Sequence, residues 1–380
     1  MRIDRVAISA LAYGGEAVGR LPDGRVCFVR GALPGEVVSL HVTAEKRRFV
    51  RGEAEEIVSA SPHRFAPRCP LAGRCPGCAF QHADYPLELF WKDRQLRDFL
   101  LRGGIADADV FAPPFAAPEV FGSRNKVTLH RGDGGYGYFG MDNRTVIPVA
   151  ACPLARREIN GILSLAEGER ALFRFTEKEG AMLIPSSGKV PLLHEYLPGA
   201  GEFAVRGDGF FQTDIPVAAE LVREVVHEIL SCGGREVLEL YCGVGVFSVA
   251  AASAGGGIRF TGVELDRAAV GCAAENASAH GVGGRCSFIA ADSGRVFARI
   301  RRRPDTILLD PPRSGLSPET MAGVIASGAE HILCISCAAD TLTRDLHALT
   351  AAGYRVIRVR MLDMFPRTAH FETLTVLRRG

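Results

Sequence analysis

Eleven cysteines stand in a chain of 380 residues, and Cys337 is the one placed for nucleophilic chemistry. It closes the run Ile332-Leu333-Cys334-Ile335-Ser336-Cys337. An apolar, β-branched run of this kind reads as a buried strand, and the polar stretch 338–349 that follows reads as a helix. A thiol there sits at the carboxyl end of a strand and beside a helix N-terminus. The helix dipole favours the thiolate, the nucleophilic form. In an open α/β sheet, the carboxyl ends of the strands are also where ligands bind. The competing reading is a buried structural thiol, since free cysteine is among the most buried residue types. The neighbouring motifs favour the chemical reading.

The first of these is Leu238-Glu239-Leu240-Tyr241-Cys242-Gly243-Val244-Gly245. Here a strand ends in a loop whose glycines let the backbone turn tightly and approach a ligand closely. Glu264 closes the next strand, about twenty positions on, a spacing that suits a carboxylate accepting hydrogen bonds from ribose hydroxyls. Dinucleotide enzymes use a related device, but the loop lacks their Gly-x-Gly-x-x-Gly form. Together with Asp310-Pro311-Pro312 closing a later strand, it fits S-adenosylmethionine better. Asp292, at the end of the intervening strand, is a candidate for the adenine side. A turn aspartate is the plain alternative for Asp310.

A second cluster is built of soft donors. Cys69-Pro70-Leu71-Ala72-Gly73-Arg74-Cys75-Pro76-Gly77-Cys78 puts three thiols in ten residues, on turns made by proline and glycine. Cys152-Pro153-Leu154 repeats the frame of Cys69-Pro70-Leu71 and offers a fourth ligand. Both a Cys₄ zinc site and an iron–sulfur cluster satisfy that spacing. The first gap of five residues does not match the Cys-x₃-Cys-x₂-Cys motif of radical enzymes.

These residues need elements to hold them. Residues 1–58 alternate short β-like runs with the turns Gly14-Gly15, Asp23-Gly24 and Pro34-Gly35, the pattern of a small barrel of the kind that binds RNA. The proline- and cysteine-rich segment 61–78 is followed by a helix expected over 86–101. Residues 120–205 read as β-rich and irregular. From about 215 onward helices alternate with apolar strands, expected at 236–240, 260–264, 286–290, 306–310 and 331–336. That alternation predicts a parallel sheet with crossover helices. Two final strands are expected at 354–360 and 371–377. The fold class is therefore multidomain α/β. A small N-terminal barrel (1–58) is followed by a central α+β cluster-binding domain (59–205) and a Rossmann-like domain (206–380).

Composition agrees with a soluble protein, with 47% hydrophobic and 23% charged residues. No apolar stretch is long enough for a bilayer. The charged start, Met1 to Arg5, precedes no signal-type apolar core, so a cytoplasmic protein is expected, with no membrane and no obligate protein partner. In that setting cysteines serve metals or catalysis more than disulfides. The net charge of +2 does not announce a nucleic-acid binder. Local clusters do exist, Lys46-Arg47-Arg48 with Arg51, and Arg295, Arg299, Arg301, Arg302 and Arg303. Phosphate contacts need such local cations and not a basic average.

Taken together, these segments resemble the RNA uracil-5 methyltransferase family, in its branch with an N-terminal TRAM barrel and an iron–sulfur cluster. The likeness rests on Gly31-Ala32-Leu33-Pro34-Gly35-Glu36, Cys75-Pro76-Gly77-Cys78-Ala79-Phe80-Gln81-His82 and Phe210-Phe211-Gln212. It continues through Glu239-Leu240-Tyr241-Cys242-Gly243, Leu309-Asp310-Pro311-Pro312-Arg313, Ser336-Cys337 and His370-Phe371-Glu372-Thr373. The resemblance implies a [4Fe–4S] cluster on Cys69, Cys75, Cys78 and Cys152. It implies S-adenosylmethionine contacts from Gln212, Tyr241, Glu264 and Asp310, with Cys337 as nucleophile and Glu372 as base. It also implies an RNA substrate, 23S rRNA first and tRNA second. The chain departs from the family pattern at Ala338-Ala339, where Asn-Pro is usual, at Asp214 in place of asparagine, and at Val246, a position often polar.

The implied chemistry has a physical reason. Carbon 5 of uracil is a poor nucleophile, and thiolate addition at carbon 6 turns the ring into an enolate that carries electron density there. Two other readings compete: methylation of an exocyclic nitrogen, which needs no Cys337–Glu372 pair, and a non-catalytic RNA-binding or assembly factor.

Overall fold

A computed structural model of the chain describes residues 1–300 and 302–380; Arg301, one of the second basic cluster, lies outside the described residues. The chain packs as two compact units. One comprises Met1–Gln95, Leu129–Pro153 and Phe365–His370, the other Leu96–Thr128, Leu154–Met364 and Phe371–Gly380. Residues 1–58 thus fall in the first unit. Residues 206–380 fall in the second, apart from 365–370, and residues 59–205 are divided between the two.

The first unit opens with strands β1 (Arg2–Leu11), β2 (Ala17–Arg20), β3 (Val26–Arg30), β4 (Val37–Glu45) and β5 (Phe49–Ser59), closed into a barrel in the order β1-β2-β3-β5-β4. The small barrel expected from the sequence is therefore present. Alternate side chains point inward, so Val6, Ile8, Cys27, Val29, Val38, Leu40 and Val50 form its core. Gly52 is required where β4 and β5 close up, because a Cβ there would lie 2.5 Å from the carbonyl oxygen of His41. Phe80 and Trp91 extend this core beyond the barrel. Helix α1 (Tyr85–Arg102) and strand β6 (Lys126–Gly132) each run along the chain from one unit into the other. Strands β7 (Gly135–Phe139) and β8 (Val146–Pro148) complete the first unit.

The second unit begins with the short helix α2 (Arg157–Asn160) and two hairpins, β9 (Arg170–Thr176) with β10 (Gly180–Ile184) and β11 (Leu192–Leu197) with β12 (Gly201–Arg206). Then come α3 (Ile215–Ser231), β13 (Glu236–Leu240), α4 (Val246–Ala254), β14 (Arg259–Glu264), α5 (Arg267–Ala279), β15 (Cys286–Ala290), β16 (Thr306–Leu309), α6 (Pro318–Ser327), β17 (His331–Ser336), α7 (Ala339–Ala351), β18 (Tyr354–Leu362) and β19 (Glu372–Arg379). Their strands form one sheet in the order β15-β14-β13-β16-β17-β19-β18. The first five run parallel, and β19 is antiparallel to both neighbours. The expected alternation of helices and strands is what folds here.

Central strands buried on both faces explain the unbroken apolar runs, since β16 and β17 are buried at every position. Part of the second basic cluster is structural: Arg302 pairs with Glu236, and Arg303 donates to the carbonyls of Ser327 and Gly328 at the end of α6. Among the described residues no helix is long and apolar enough to cross a membrane.

Candidate active site

The sheet register assembles the site. Leu240 of β13 lies beside Leu309 of β16, and Leu309 beside Cys334 of β17. Tyr241, Asp310 and Cys337 therefore emerge along one carboxyl edge. On the antiparallel partner Ser336 faces Thr373, so one further step along the ladder sets Cys337 opposite Glu372. Glu372 joins the other three because its strand, β19, returns in the opposite direction.

A cavity with about 500 Å³ of empty space, its open mouth included, lies at this edge, a size typical of small-ligand sites. Gln212, Tyr241 and Asp310 line it, as do Phe210, Phe211, Val244 and Phe247. Tyr241 has a φ of 65°, the left-handed region that a bulky residue occupies at a cost of about 1–3 kcal/mol and that clusters at functional sites. Gly245 also has a positive φ, 78°, and a Cβ there would press on Phe288 at 3.0 Å and Ala273 at 3.1 Å. Glu264 does not line the cavity. Its carboxylate accepts from the Gly243 amide at 3.1 Å and from the Leu265 and Asp266 amides at 2.7 and 2.9 Å. It pins the glycine loop and keeps lone pairs available. Asp292 lies in an exposed turn, accepting from the Gly294 amide at 3.0 Å, and does not line the cavity.

The site is rich in buried acid. Burial pushes the Asp310 carboxyl up to about 7. Burial also raises Glu372 well above the ordinary range; Asp310 adds to the rise and Arg313 opposes it. Beneath the loop, burial pushes Glu239 up to about 8 while it accepts from the amide and hydroxyl of Ser248 at the start of α4. A cationic ligand in the cavity favours the ionised forms of such carboxyls, and a sulfonium carries that charge.

Cys337 is half-buried and immediately precedes α7, in the place expected from the sequence. Burial raises the thiol and Glu372 raises it further, whereas Arg313, hydrogen-bonded to the sulfur, lowers it. Burial and the facing acid thus act against the thiolate that a helix end favours. Arg313, three residues beyond Asp310, is a candidate site residue to which the sequence assigns no role. Its signal was its place in Asp310-Pro311-Pro312-Arg313: the prolines end the strand and carry the chain towards Cys337.

In the first unit, Cys69, Cys75, Cys78 and Cys152 are all half-buried. The loop is folded by its own turns, with the Ala72 amide donating to Cys69 and the Cys75 amide to Leu71, and the Gln81 side-chain amide lies 3.4 Å from the Cys78 sulfur. Four thiols without a harder donor suit a soft, thiophilic group. Among the described residues no group of three or more His, Cys, Asp or Glu is gathered so as to hold a metal ion.

Comparison with known proteins decides the family. Residues 201–380 match the model of the tRNA (Uracil-5-)-methyltransferase family, and residues 2–54 match the TRAM domain. An uncharacterized RNA methyltransferase of Gloeobacter violaceus is 30% identical, over 99% of this chain and 96% of its own. The chain belongs to the RNA uracil-5 methyltransferase family. The 23S rRNA (uracil(1939)-C(5))-methyltransferase RlmD of Marinomonas sp. is 28% identical to this methyltransferase, over 99% and 95% of the two chains. The crystal structure of Pyrococcus abyssi tRNA (uracil-54, C5)-methyltransferase in complex with S-adenosyl-L-homocysteine shares the fold. Its TM-score is 0.75 at 23% identity, over 99% of this chain and 100% of that one. By its family, this chain is accordingly an RNA methyltransferase.

Proposed function

We propose that the protein methylates carbon 5 of a uridine in 23S rRNA through a covalent bond between Cys337 and carbon 6. The observation that carries this reading is the β17–β19 register, which supports a nucleophile and an acid facing one another beside the cavity. Nitrogen methylation needs neither Cys337 nor Glu372 in that relation. The ribosomal substrate is supported by the near full-length match to RlmD.

S-adenosylmethionine occupies the cavity lined by Gln212, Tyr241 and Asp310. The ionised Asp310 faces its positive charge, and Glu264 holds the glycine loop against it. The half-buried Cys337 thiol gives up its proton to solvent water, and Arg313 stabilises the resulting thiolate. The sulfur then bonds to carbon 6, and the ring electrons pass to carbon 5, which takes the methyl group; S-adenosylhomocysteine leaves with the electrons of the broken S–CH₃ bond. The Glu372 carboxylate removes the proton from carbon 5, the C5–C6 double bond reforms and the sulfur departs. Burial that raises Glu372 makes its ionised form a stronger base for this proton.

A [4Fe–4S] cluster would be held by Cys69, Cys75, Cys78 and Cys152, where it would cross-link the segment after β5 to residue 152. Methyl transfer from a sulfonium is redox-neutral and asks no electron of it. The barrel, with Lys46, Arg47 and Arg48 at its β4–β5 turn, holds RNA while the target base is extruded.

Mapping of 5-methyluridine by mass spectrometry of rRNA and tRNA from cells lacking the protein tests this reading. Loss of one such residue from 23S rRNA is expected. Loss from tRNA alone would replace the substrate, and unchanged 5-methyluridine in both would reject the function.

A further inference from the structure

The segment 207–213 between β12 and α3 carries Phe210, Phe211 and Gln212 into the cavity. It has no regular backbone ladder of its own, so its carbonyls need other donors. They find them in a buried cluster behind the cavity. Arg174 of β9 is 1% exposed. Its Nη1 donates to the carbonyls of Arg206 at 3.2 Å, Gly207 at 3.5 Å and Gly209 at 3.1 Å. Its Nε and Nη2 donate to Oε1 of Glu195 on β11 at 3.1 and 3.0 Å. Lys126 of β6 donates to the carbonyls of Gly209 at 2.7 Å and Asp208 at 3.3 Å. Asn125 bridges the two halves, donating its side-chain amide to Gln212 O at 3.1 Å and Glu195 Oε1 at 3.4 Å, and its backbone amide to Thr213 O at 3.2 Å.

Neither Arg174 nor Lys126 lines the cavity. Arg174, Lys126 and Asn125 thus donate to six carbonyls of a single cofactor-facing segment, while the Glu195 carboxylate accepts from Arg174 and Asn125. The segment is also seated tightly, since a Cβ at Gly207 would lie 2.9 Å from Ile184. A fully buried arginine that merely stabilised the fold needs only its carboxylate partner; this one spends a whole nitrogen on the loop. Burial lowers Lys126 to about 8, with Arg174 and Arg170 adding to the fall and Asp208 opposing it.

We infer that Arg174 and Lys126 are positioning residues that set the affinity for the methyl donor by fixing the backbone of 206–213 against Glu195 and Asn125. This rests on the reading of the cavity as the donor site. Substitution should weaken donor binding while leaving the chemistry, which belongs to Cys337 and Glu372, largely intact.

The test is calorimetric titration of the full-length protein with S-adenosylhomocysteine, together with steady-state kinetics, for Arg174→Lys, Lys126→Met and Lys126→Arg. Lysine at 174 keeps the charge but cannot donate at once to Glu195 and to three carbonyls. Loss of charge-assisted hydrogen bonds of this kind should raise the dissociation constant about tenfold or more in Arg174→Lys and Lys126→Met. The KM for S-adenosylmethionine should rise in parallel, with kcat at saturating donor within about twofold of the unmodified enzyme. Lys126→Arg should restore affinity. Unchanged affinity in Lys126→Met, or a fall in kcat with no change in KM, would overturn the inference whether or not Arg174→Lys folds. Failure of the unmodified protein to bind S-adenosylhomocysteine would overturn the reading of the cavity, and the inference with it.

Discussion

Replacing Asp214 by asparagine should make the protein more stable, and only above a definite pH. Asp214 is 1% exposed and caps α3, its Oδ1 accepting from the Val217 amide at 3.3 Å. Burial pushes its carboxyl from 3.8 up to about 6; Val217 and Ser123 pull it down, while Asp363 and Glu119 add to the rise. Below about pH 4 both folded and unfolded chains carry the proton and nothing is lost. Between 4 and 6 the unfolded chain ionises while the folded one keeps its proton, so stability falls as pH rises. Above 6 the loss is complete and amounts to about 3 kcal/mol, taking 1.36 kcal/mol for each pH unit. Asparagine keeps a cap oxygen without the charge. Asp214→Asn should therefore melt together with the unmodified protein near pH 4, and about 6–12 °C above it at pH 8 for a unit of this size. Thermal melts at half-unit steps in pH measure this directly. A constant gap across the range, or a less stable Asp214→Asn at pH 8, would refute the reasoning. The departure from the family's asparagine at this position would then need another cause.

Three further outcomes follow from the same geometry. The affinity for S-adenosylmethionine relative to S-adenosylhomocysteine, which lacks the sulfonium charge, should rise as Asp310 ionises near pH 7, and calorimetry of Asp310→Asn should show that ratio flat with pH. Arg313 lowers the Cys337 thiol, so Arg313→Met should slow iodoacetamide labelling of Cys337 at pH 8 by about threefold to tenfold; peptide mapping that found equal or faster labelling would contradict the assignment. Protein purified without oxygen should carry iron and sulfide in near-equal amounts, and Cys152→Ser should lose both together with stability. Retention of full iron and sulfide by that variant would remove Cys152 from the ligand set.

Much of the catalytic unit was legible because its strands are buried on both faces and bounded by glycine, proline or charge. The expected strands at 236–240, 260–264, 286–290 and 331–336 coincide with β13, β14, β15 and β17, and the glycine turns of the first residues mark a barrel that does close. What depended on the third dimension was not legible. Nothing local in Cys337 or Glu372 says that β19 runs antiparallel and brings them opposite. The burial of the thiol and the acid facing it depend on that same pairing. A helix end can be read from a sequence, whereas burial and a facing acid cannot. Glu264 serves the loop amides as well as any ribose, and Asp292 lies outside the cavity, because spacing fixes which strand end a carboxylate occupies but not where its side chain turns. Nothing local in Arg174 or Lys126 shows that each donates to carbonyls about 30–80 residues away in the chain.

Intact-mass spectrometry of Glu372→Gln, incubated with S-adenosylmethionine and a 23S rRNA fragment, tests the covalent route most directly. The account predicts a species of protein plus RNA plus one methyl group, which accumulates because carbon 5 keeps its proton, and which is missing when Cys337 is also replaced by alanine. Normal release of methylated RNA by Glu372→Gln, or an adduct that persists without Cys337, would contradict it.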